Sequence, residues 1–187
     1  QRLTSQPLTL RVLKPNAPPQ EAINSGSQLA FLKLALPRKE IYVGETISAQ
    51  LQFYLHSKVQ GISQPQLTSF QADGFNVGKM IEGQRRQMQV GNSVYTVIPV
   101  NVALTAVKAG TMTIGPVTYS LVLELPTANP RRDMFFGMLN RGEQKQVSLA
   151  TEPETVQLLP LPQENRPANF TGAVGQYTMS VSAGPTN

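Results

Sequence analysis

Few side chains in this sequence could act as a nucleophile, a general base or a metal ligand. His56 is the only histidine, and the chain has no cysteine. Serine-histidine-aspartate chemistry would therefore depend on His56, and a metal site would need mainly oxygen ligands. His56 comes at the end of a predicted strand, on its polar side, where a solvated side chain is the expected role. We therefore predict a protein that is not an enzyme, with no catalytic residue and no cofactor.

The carboxylates also lack a metal-binding pattern. Glu40 and Glu45 flank a predicted turn, and they would need added carbonyl ligands to coordinate calcium. No segment has the alternating Asp and Asn spacing of a calcium-binding loop. Asp73 precedes Gly74, and this pair is typical of a turn. We predict no metal site.

The positive charge of the chain is spread out. There are 16 basic and 11 acidic side chains, a net charge of +5, and the basic residues form short pairs such as Arg85-Arg86 and Arg131-Arg132 but no longer run. A nucleic-acid-binding surface normally combines a dense basic stripe with aromatic side chains, and only 6% of these residues are aromatic. We therefore predict no nucleic-acid partner.

One polar stretch contains a concentrated apolar cluster. It reads TANPRRDMFFGMLNRGEQKQ (127–146), and its apolar side chains have a basic rim. This composition is favoured at protein interfaces and at membrane surfaces. The alternative is that the cluster folds back and plugs one end of the domain, because exposed apolar patches are uncommon on soluble domains. The predicted partner-binding residues are Arg131, Arg132, Met134, Phe135, Phe136, Met138 and Leu139.

The elements that must position such a patch are predicted to be strands. The segment TISAQLQFYLH (46–56) alternates between apolar and polar residues. A period of two is the pattern of a strand with one buried face, and a helix would mix the two sets. The inward set is Ile47, Ala49, Leu51, Phe53 and Leu55, and the polar set is Ser48, Gln50, Gln52, Tyr54 and His56.

Other alternating runs and turn signals continue along the chain. About seven strands are predicted over 29–159, which favours an all-β fold, an immunoglobulin-like antiparallel β-sandwich. Gly91-Asn92 predicts a two-residue hairpin, and Pro99 requires a bulge or an edge in its strand. The turn signal Gly115-Pro116 is predicted to separate two strands, Thr111 to Ile114 and Val117 to Leu125.

The chain is predicted to hold one complete domain and parts of its neighbours. Residues 1–26 are interpreted as the end strand of a preceding domain plus a linker, 27–160 as the sandwich, and 161–187 as a linker and the first strand of a following domain. The flanking strands, Leu8 to Val12 and Tyr177 to Val181, would offer unpaired edges to a partner strand. No apolar run approaches the roughly 20 residues that cross a bilayer. A signal peptide or anchor is expected outside this chain.

Three segments carry a resemblance to a known family: IYVGETISAQLQFYL, LTAVKAGTMTIGPVTY and VQLLPLPQENRPANFTGAVGQYTMSVSAG. They resemble the BatD family, the "oxygen tolerance" proteins of bacterial aerotolerance operons. The third is the most specific, because it is similar to the junction between consecutive BatD domains. The resemblance covers roughly 29–184.

The resemblance implies a cellular location and partners, and it does not imply a reaction. It implies an exported protein with tandem sandwich domains in the periplasm, anchored to the cytoplasmic membrane by a segment outside this chain. The implied partners are von Willebrand A-domain membrane proteins and a MoxR-type ATPase. We therefore expect a non-enzymatic interaction scaffold linked to aerotolerance or envelope stress, of undetermined oligomeric state. The alternative is a carbohydrate-binding or adhesive cell-surface module, which would need an aromatic platform and a calcium site.

Overall fold

The computed structural model describes residues 29–126, 142–164, 166–170, 172, 174–175 and 180–181. These residues form ten strands, and no helix among them is long and apolar enough to cross a bilayer. The strands are β1 (Ala30–Ala35), β2 (Glu40–Tyr42), β3 (Thr46–His56), β4 (Gly61–Ala72), β5 (Phe75–Glu82), β6 (Arg86–Val90), β7 (Ser93–Ala106), β8 (Gly110–Leu125), β9 (Glu143–Ala150) and β10 (Glu154–Leu159).

The strands form two five-stranded sheets that pack face to face. The first sheet has the order β1-β3-β7-β5, and β6 continues the line of β5 along β7. The second sheet has the order β2-β10-β8-β4, and β9 lies beside β8 next to β10. All pairs are antiparallel except β2 with β10. This is an immunoglobulin-like β-sandwich, so the predicted fold class is confirmed.

The core is built from the inward side chains of both sheets. The predicted inward set of β3 is confirmed, because all five side chains are at most 7% exposed. Leu51 of β3 has no exposed surface and packs in one cluster with Leu121 of β8, which is 1% exposed. Leu104 of β7 and Leu158 of β10 are fully buried in the second cluster. Burying a side chain of this size stabilises the fold by about 1.5–3 kcal/mol, so this layer holds the sheets together.

Pro99 sets the break in the edge strand beside β7. Its carbonyl oxygen accepts a hydrogen bond from the Gly83 amide at 2.7 Å. In an antiparallel ladder the N–H and C=O of one residue point to the same neighbour, so the donor that proline lacks faces this edge. The edge strand is interrupted there, at 83–85, between β5 and β6. The irregularity that the sequence predicts is therefore real, but it falls in the neighbouring strand.

The prediction of two strands flanking Gly115-Pro116 is wrong. β8 runs through this pair without ending, as one strand of 16 residues. What changes there is the neighbour: β10 pairs with β8 up to Ile114, and β9 pairs with it from Thr118 onward. Thr151, between β9 and β10, fills the gap by accepting the Val117 N–H on Oγ1 at 3.0 Å. The count of about seven strands is also too low, because ten are present and the short strand β2 was not predicted.

The chain enters and leaves the sandwich at opposite ends. We call the end where β3 finishes the upper end and the end where β3 begins the lower end. The carbonyl of Leu29 accepts the His56 N–H at the upper end. The carbonyl of Leu159 accepts the Val43 N–H at the lower end. The eleven residues of β3 separate the two points by roughly 35 Å.

The phenol of Tyr119 is half-buried and packs against the core. Its ring meets Phe53 edge to face at a centroid distance of 4.9 Å, and its hydroxyl donates to Met80 Sδ at 3.4 Å. Burial raises the pKa of Tyr119 above its ordinary value of 10.0. The folded state therefore holds this proton more tightly than the unfolded state does, and the stability that depends on it is lost as the pH rises above about 10.

Tyr119→Phe should make the protein less sensitive to alkali. We expect the free energy of unfolding of the wild type to fall more steeply than that of Tyr119→Phe between about pH 9 and pH 11.5, since only the wild type carries this phenol. At pH 7 the two should lie within about 1 kcal/mol, because an O–H to sulfur bond is weak. Urea denaturation at a series of pH values measures both. Parallel curves across the alkaline range would contradict the prediction.

Candidate interaction face

The predicted partner-binding residues lie outside the described residues. They are Arg131, Arg132, Met134, Phe135, Phe136, Met138 and Leu139, and their role stays a prediction. The residues that bracket them are described: Leu125 of β8 pairs with Glu143 of β9 at the upper end. The connection from β3 to β4 and the two-residue turn at Gly91-Asn92 lie at the same end. The turn confirms the predicted hairpin.

Two of the described sheet edges, β4 and β5, are poorly suited to adding a partner strand. On β4, Pro65 and the positive φ of Gln64 (52°) accompany three register shifts. On β5, a register shift between Val77 and Met80 places Lys79 in an irregular stretch. Proline, lysine and bulges are the devices that prevent strands from pairing across an open edge. The predicted flanking strand at Leu8 to Val12, and most of the one at Tyr177 to Val181, lie outside the described residues.

An unpredicted aromatic cluster lies on the outward surface of the first sheet, which we call the aromatic face. The rings of Phe31 and Tyr54 stack at 4.4 Å with an interplanar angle of 11°. Tyr95 meets Phe31 edge to face at 5.2 Å. The strand register explains this contact, because it puts Phe31 of β1 opposite Tyr54 of β3 and Tyr95 of β7 one step along. Tyr54 and Tyr95 expose only 5% and 2% of their surface.

Tyr54 corrects the prediction of a uniformly polar outer side for β3. Its cross-strand partner is Val97, whose side chain has no exposed surface although it points away from the sandwich core. The Tyr54 hydroxyl donates to Gln52 Oε1 at 2.9 Å and lies 3.8 Å from Met88 Sδ. Because this hydroxyl reaches Met88 on the strand beyond β7, the phenol spans β7 and covers Val97. Aromatic packing thus forms a small second core outside the sandwich.

His56 packs against this cluster. Its ring meets Tyr95 edge to face at 5.3 Å, and its Nδ1 accepts the Lys58 N–H at 3.0 Å. The side chain is half-buried, so the predicted solvated histidine is corrected to a packed one. No group of three or more histidine, aspartate or glutamate side chains that could hold a metal ion occurs in the described part of the chain.

Amide side chains continue the aromatic face toward the lower end. Gln52 Nε2 donates to Gln50 Oε1 at 2.6 Å, and Gln50 Nε2 donates to Asn101 Oδ1 at 3.1 Å. The hydroxyls of Thr46 and Thr105 follow at 2.8 Å. Because each side chain is fixed by the next, the face presents an ordered polar surface instead of mobile side chains.

The charge on the aromatic face has one sign. Lys33 Nζ lies 5.5 Å from the ring centroids of both Phe31 and Tyr54, a cation–π arrangement, and Arg86 is paired with Val97 from the other side. The register places no aspartate or glutamate at an outward position of this sheet. The outward residues are Phe31, Lys33, Ala35, Thr46, Ser48, Gln50, Gln52, Tyr54, His56, Asn76, Ile81, Arg86, Met88, Val90, Ser93, Tyr95, Val97, Pro99, Asn101, Ala103 and Thr105.

The outward surface of the second sheet has the opposite sign. Glu124 of β8 and Glu40 of β2 point outward, and the register places no lysine or arginine beside them on this surface. Threonine, serine and glutamine occupy most of the remaining outward positions of its strands. The sandwich therefore has a basic aromatic face and an acidic polar face.

The lower end contains a buried carboxylate. Glu45 is 7% exposed, forms an ion pair with Arg38, and accepts the Tyr42 N–H on Oε2 at 3.1 Å. Glu40 is exposed on the second sheet, so the two glutamates that the sequence brings to one turn do not share a site. Arg38 and the Tyr42 N–H already bind both oxygens of the Glu45 carboxylate, so these contacts stabilise the turn.

The segment after β10 returns to this end. Val174 forms an isolated parallel bridge with Glu45, and a Cβ on Gly44 would lie 3.2 Å from the Gly172 carbonyl oxygen. Gly44 has φ 87°, a conformation that glycine adopts readily. Between β10 and this bridge, the Arg166 guanidinium lies 4.8 Å from the Phe170 ring centroid, and both side chains line an open pocket of about 350 Å³. These contacts fix how the chain leaves the sandwich.

The aromatic face is the strongest candidate for function among the described residues. The central areas of protein interfaces are enriched in tyrosine, phenylalanine, methionine and arginine and poor in carboxylates, as this face is. The signal in the sequence was three aromatic residues at outward positions, Phe31, Tyr54 and Tyr95, in a chain with few aromatics. No protein-family model matches this chain, and no curated protein matches it at a significant level.

Proposed function

We propose that this chain is a non-enzymatic interaction scaffold of the BatD type. In this proposal it works in the bacterial periplasm, anchored to the cytoplasmic membrane by a segment outside this chain, and contributes to aerotolerance or to the response to envelope stress. Its partners are von Willebrand A-domain membrane proteins, in a system that includes a MoxR-type ATPase. The observation that carries the proposal is the aromatic face, where the exposed side chains of Met88 and Arg86 surround the packed ring of Tyr54 and no carboxylate points outward.

The path of the chain also favours a scaffold. Leu29 enters at the upper end and Leu159 leaves at the lower end, so a sandwich before and a sandwich after this one would line up roughly end to end. Such a row leaves the faces of every sandwich accessible. The contacts of Gly44 with Gly172 and of Glu45 with Val174 would hold the next sandwich in a defined direction.

The alternative of a carbohydrate-binding module has less support. Sugars bind aromatic side chains by stacking on open ring faces, and Tyr54 and Tyr95 expose 5% and 2% of their surface. The ring of Phe31 is also occupied, since it stacks on Tyr54. The cluster thus acts as packing within the face, and the contacts with a partner fall on the exposed side chains around it.

Binding to a purified A-domain protein tests the proposal. The chain should retain the A-domain protein that is encoded beside it, and an unrelated immunoglobulin-like sandwich of similar charge should not. Retention measured by biolayer interferometry at physiological salt is the readout, because surface charge attracts unrelated proteins at low salt. A chain that retains no A-domain protein, from a gene without A-domain or MoxR-type neighbours, would contradict the proposal.

The predicted loop is tested in the same assay. Phe135→Ala/Phe136→Ala should weaken retention of the A-domain protein about tenfold or more, as expected for two aromatic side chains at the centre of an interface. The matched control is Leu67→Ala/Val77→Ala, which removes two apolar side chains, 41% and 43% exposed, at the edges of the sheets. Equal retention by the wild type and the loop variant would remove the loop from the proposal and leave the scaffold function intact.

A further inference from the structure

We propose that the aromatic face docks against a flat, carboxylate-bearing surface of another protein. This inference rests on the proposed function, because it names the surface and the partner chemistry through which such a scaffold would work. The contact would fall on the exposed side chains around the packed Phe31–Tyr54–Val97 row, with Lys33 on one side and Met88 and Arg86 on the other.

The first step is the placement of the two cations. Arg86 lies in the same cross-strand row as Phe31, Tyr54 and Val97, at the opposite edge of the sheet from Phe31. Lys33 lies one row lower on β1, and both cations are exposed. Three strand spacings of about 4.8 Å separate the two edges, roughly 14 Å. A partner therefore meets two cations held on either side of a rigid, packed aromatic cluster, and carboxylates are the groups that pair with these cations.

The second step is the size and order of the surface. Four strands about 4.8 Å apart, along the 14 residues of β7, give a face on the order of 800 Å². This is about the area that each partner contributes to a standard protein interface. The amide chain from Gln52 to Asn101 and the ring stack at Tyr54 are already fixed, so little side-chain freedom remains to be lost on binding.

The third step concerns a second copy of this chain. Pairing two aromatic faces would set Lys33 and Arg86 against the same cations with no carboxylate between them, which is unfavourable. Pairing the aromatic face with the acidic face that carries Glu40 and Glu124 is electrostatically possible. That contact is head to tail, however, and it forms open stacks unless a rotation closes it. A different protein therefore fits the aromatic face better.

Site-specific photocrosslinking in cells of the bacterium that carries the gene tests this inference. The photoreactive residue p-benzoylphenylalanine replaces Ser48 or Ile81 on the aromatic face, and Thr113 or Gln146 on the acidic face. We expect adducts with another protein from the first pair only. Mass spectrometry of the crosslinked peptide should place aspartate or glutamate next to the attachment point.

Charge variants make the test specific. Lys33→Glu/Arg86→Glu should lower the adduct yield at least tenfold, because carboxylates would then face carboxylates. The control Lys108→Glu/Lys145→Glu makes the same change in net charge away from the face and should keep the yield within twofold. Arg86→Glu alone leaves the contacts of Lys33 with Phe31 and Tyr54 in place, and should lower the yield at least threefold.

Four results would overturn the inference: no adduct from either aromatic-face position, adducts with a second copy of this chain, crosslinked peptides without carboxylates, or equal losses in the face and control variants. The outcome is separable from the proposed function. A carboxylate-bearing partner without an A-domain supports the docking face and contradicts the A-domain assignment. Retention of the A-domain protein with adducts only from Thr113 or Gln146 supports the A-domain assignment and contradicts the docking face.

Discussion

Replacing Tyr54 with alanine is expected to lower the free energy of unfolding by about 3 kcal/mol, although this residue points away from the sandwich core. The substitution removes the ring stacked on Phe31 at 4.4 Å and uncovers Val97, which has no exposed surface in the wild type. It also removes the hydroxyl that fixes Gln52. Urea denaturation at 25 °C and pH 7, followed by circular dichroism, measures the loss.

Two variants separate the packing of Tyr54 from its position. Tyr54→Phe keeps the ring and loses the bond to Gln52 Oε1, so about 1 kcal/mol is expected. Ser48→Ala changes an exposed residue on the same side of the same strand, and should stay within about 0.5 kcal/mol. If Tyr54→Ala behaves like Ser48→Ala, the outward cluster contributes nothing to stability, and the rigidity that the docking proposal requires is absent.

The inward side of β3 was predictable from the sequence, and its outward side was not. The period of two assigns Leu51 and Phe53 to the core from a single strand, because the alternation is a property of that strand alone. The cluster of Phe31, Tyr54 and Tyr95 depends on which strands are neighbours and in what register. Neither the order of the strands nor their register can be deduced from one strand alone. Outward aromatic residues are therefore predicted to be ordinary surface residues.

Turn signals inside strands show a related limit of sequence reasoning. Pro99 and Gly115-Pro116 both interrupt an alternating pattern, and both lie within unbroken strands. In each case the neighbouring edge changes from one strand to another at that point, from β5 to β6 and from β10 to β9. A proline, which has no backbone N–H to donate, identifies a point where pairing with one neighbouring strand stops. The sequence alone does not tell which of the two strands ends.

The candidate site changed for a physical reason. The predicted loop was chosen because large apolar side chains adjoin one another in the sequence, which is the only form of clustering that a sequence displays. The aromatic face draws its residues from β1, β3, β6 and β7, which are separated by up to 66 positions, as from Phe31 to Val97. A sheet brings such residues together across strands, so its faces are difficult to detect without the register.

Replacing Glu45 with alanine is expected to lower the free energy of unfolding by about 2 kcal/mol and to loosen the segment that follows the sandwich. The substitution leaves the Tyr42 N–H without its acceptor at the lower end and removes the partner of Arg38. Because Arg38 is half-exposed, its guanidinium returns to water, which keeps the loss below that of a fully buried ion pair.

The consequence reaches the exit of the chain, because the same turn bridges to Val174. Hydrogen exchange of the Val174 amide should accelerate about tenfold in Glu45→Ala, since a turn without its carboxylate no longer holds the bridge. Glu45→Gln keeps an acceptor for Tyr42 and should lose only about 1 kcal/mol. Glu40→Ala, an exposed carboxylate on the neighbouring strand, should change neither stability nor exchange. If Val174 exchanges at the wild-type rate in Glu45→Ala, the direction of the chain beyond the sandwich is set elsewhere, and the end-to-end row of sandwiches loses its structural basis.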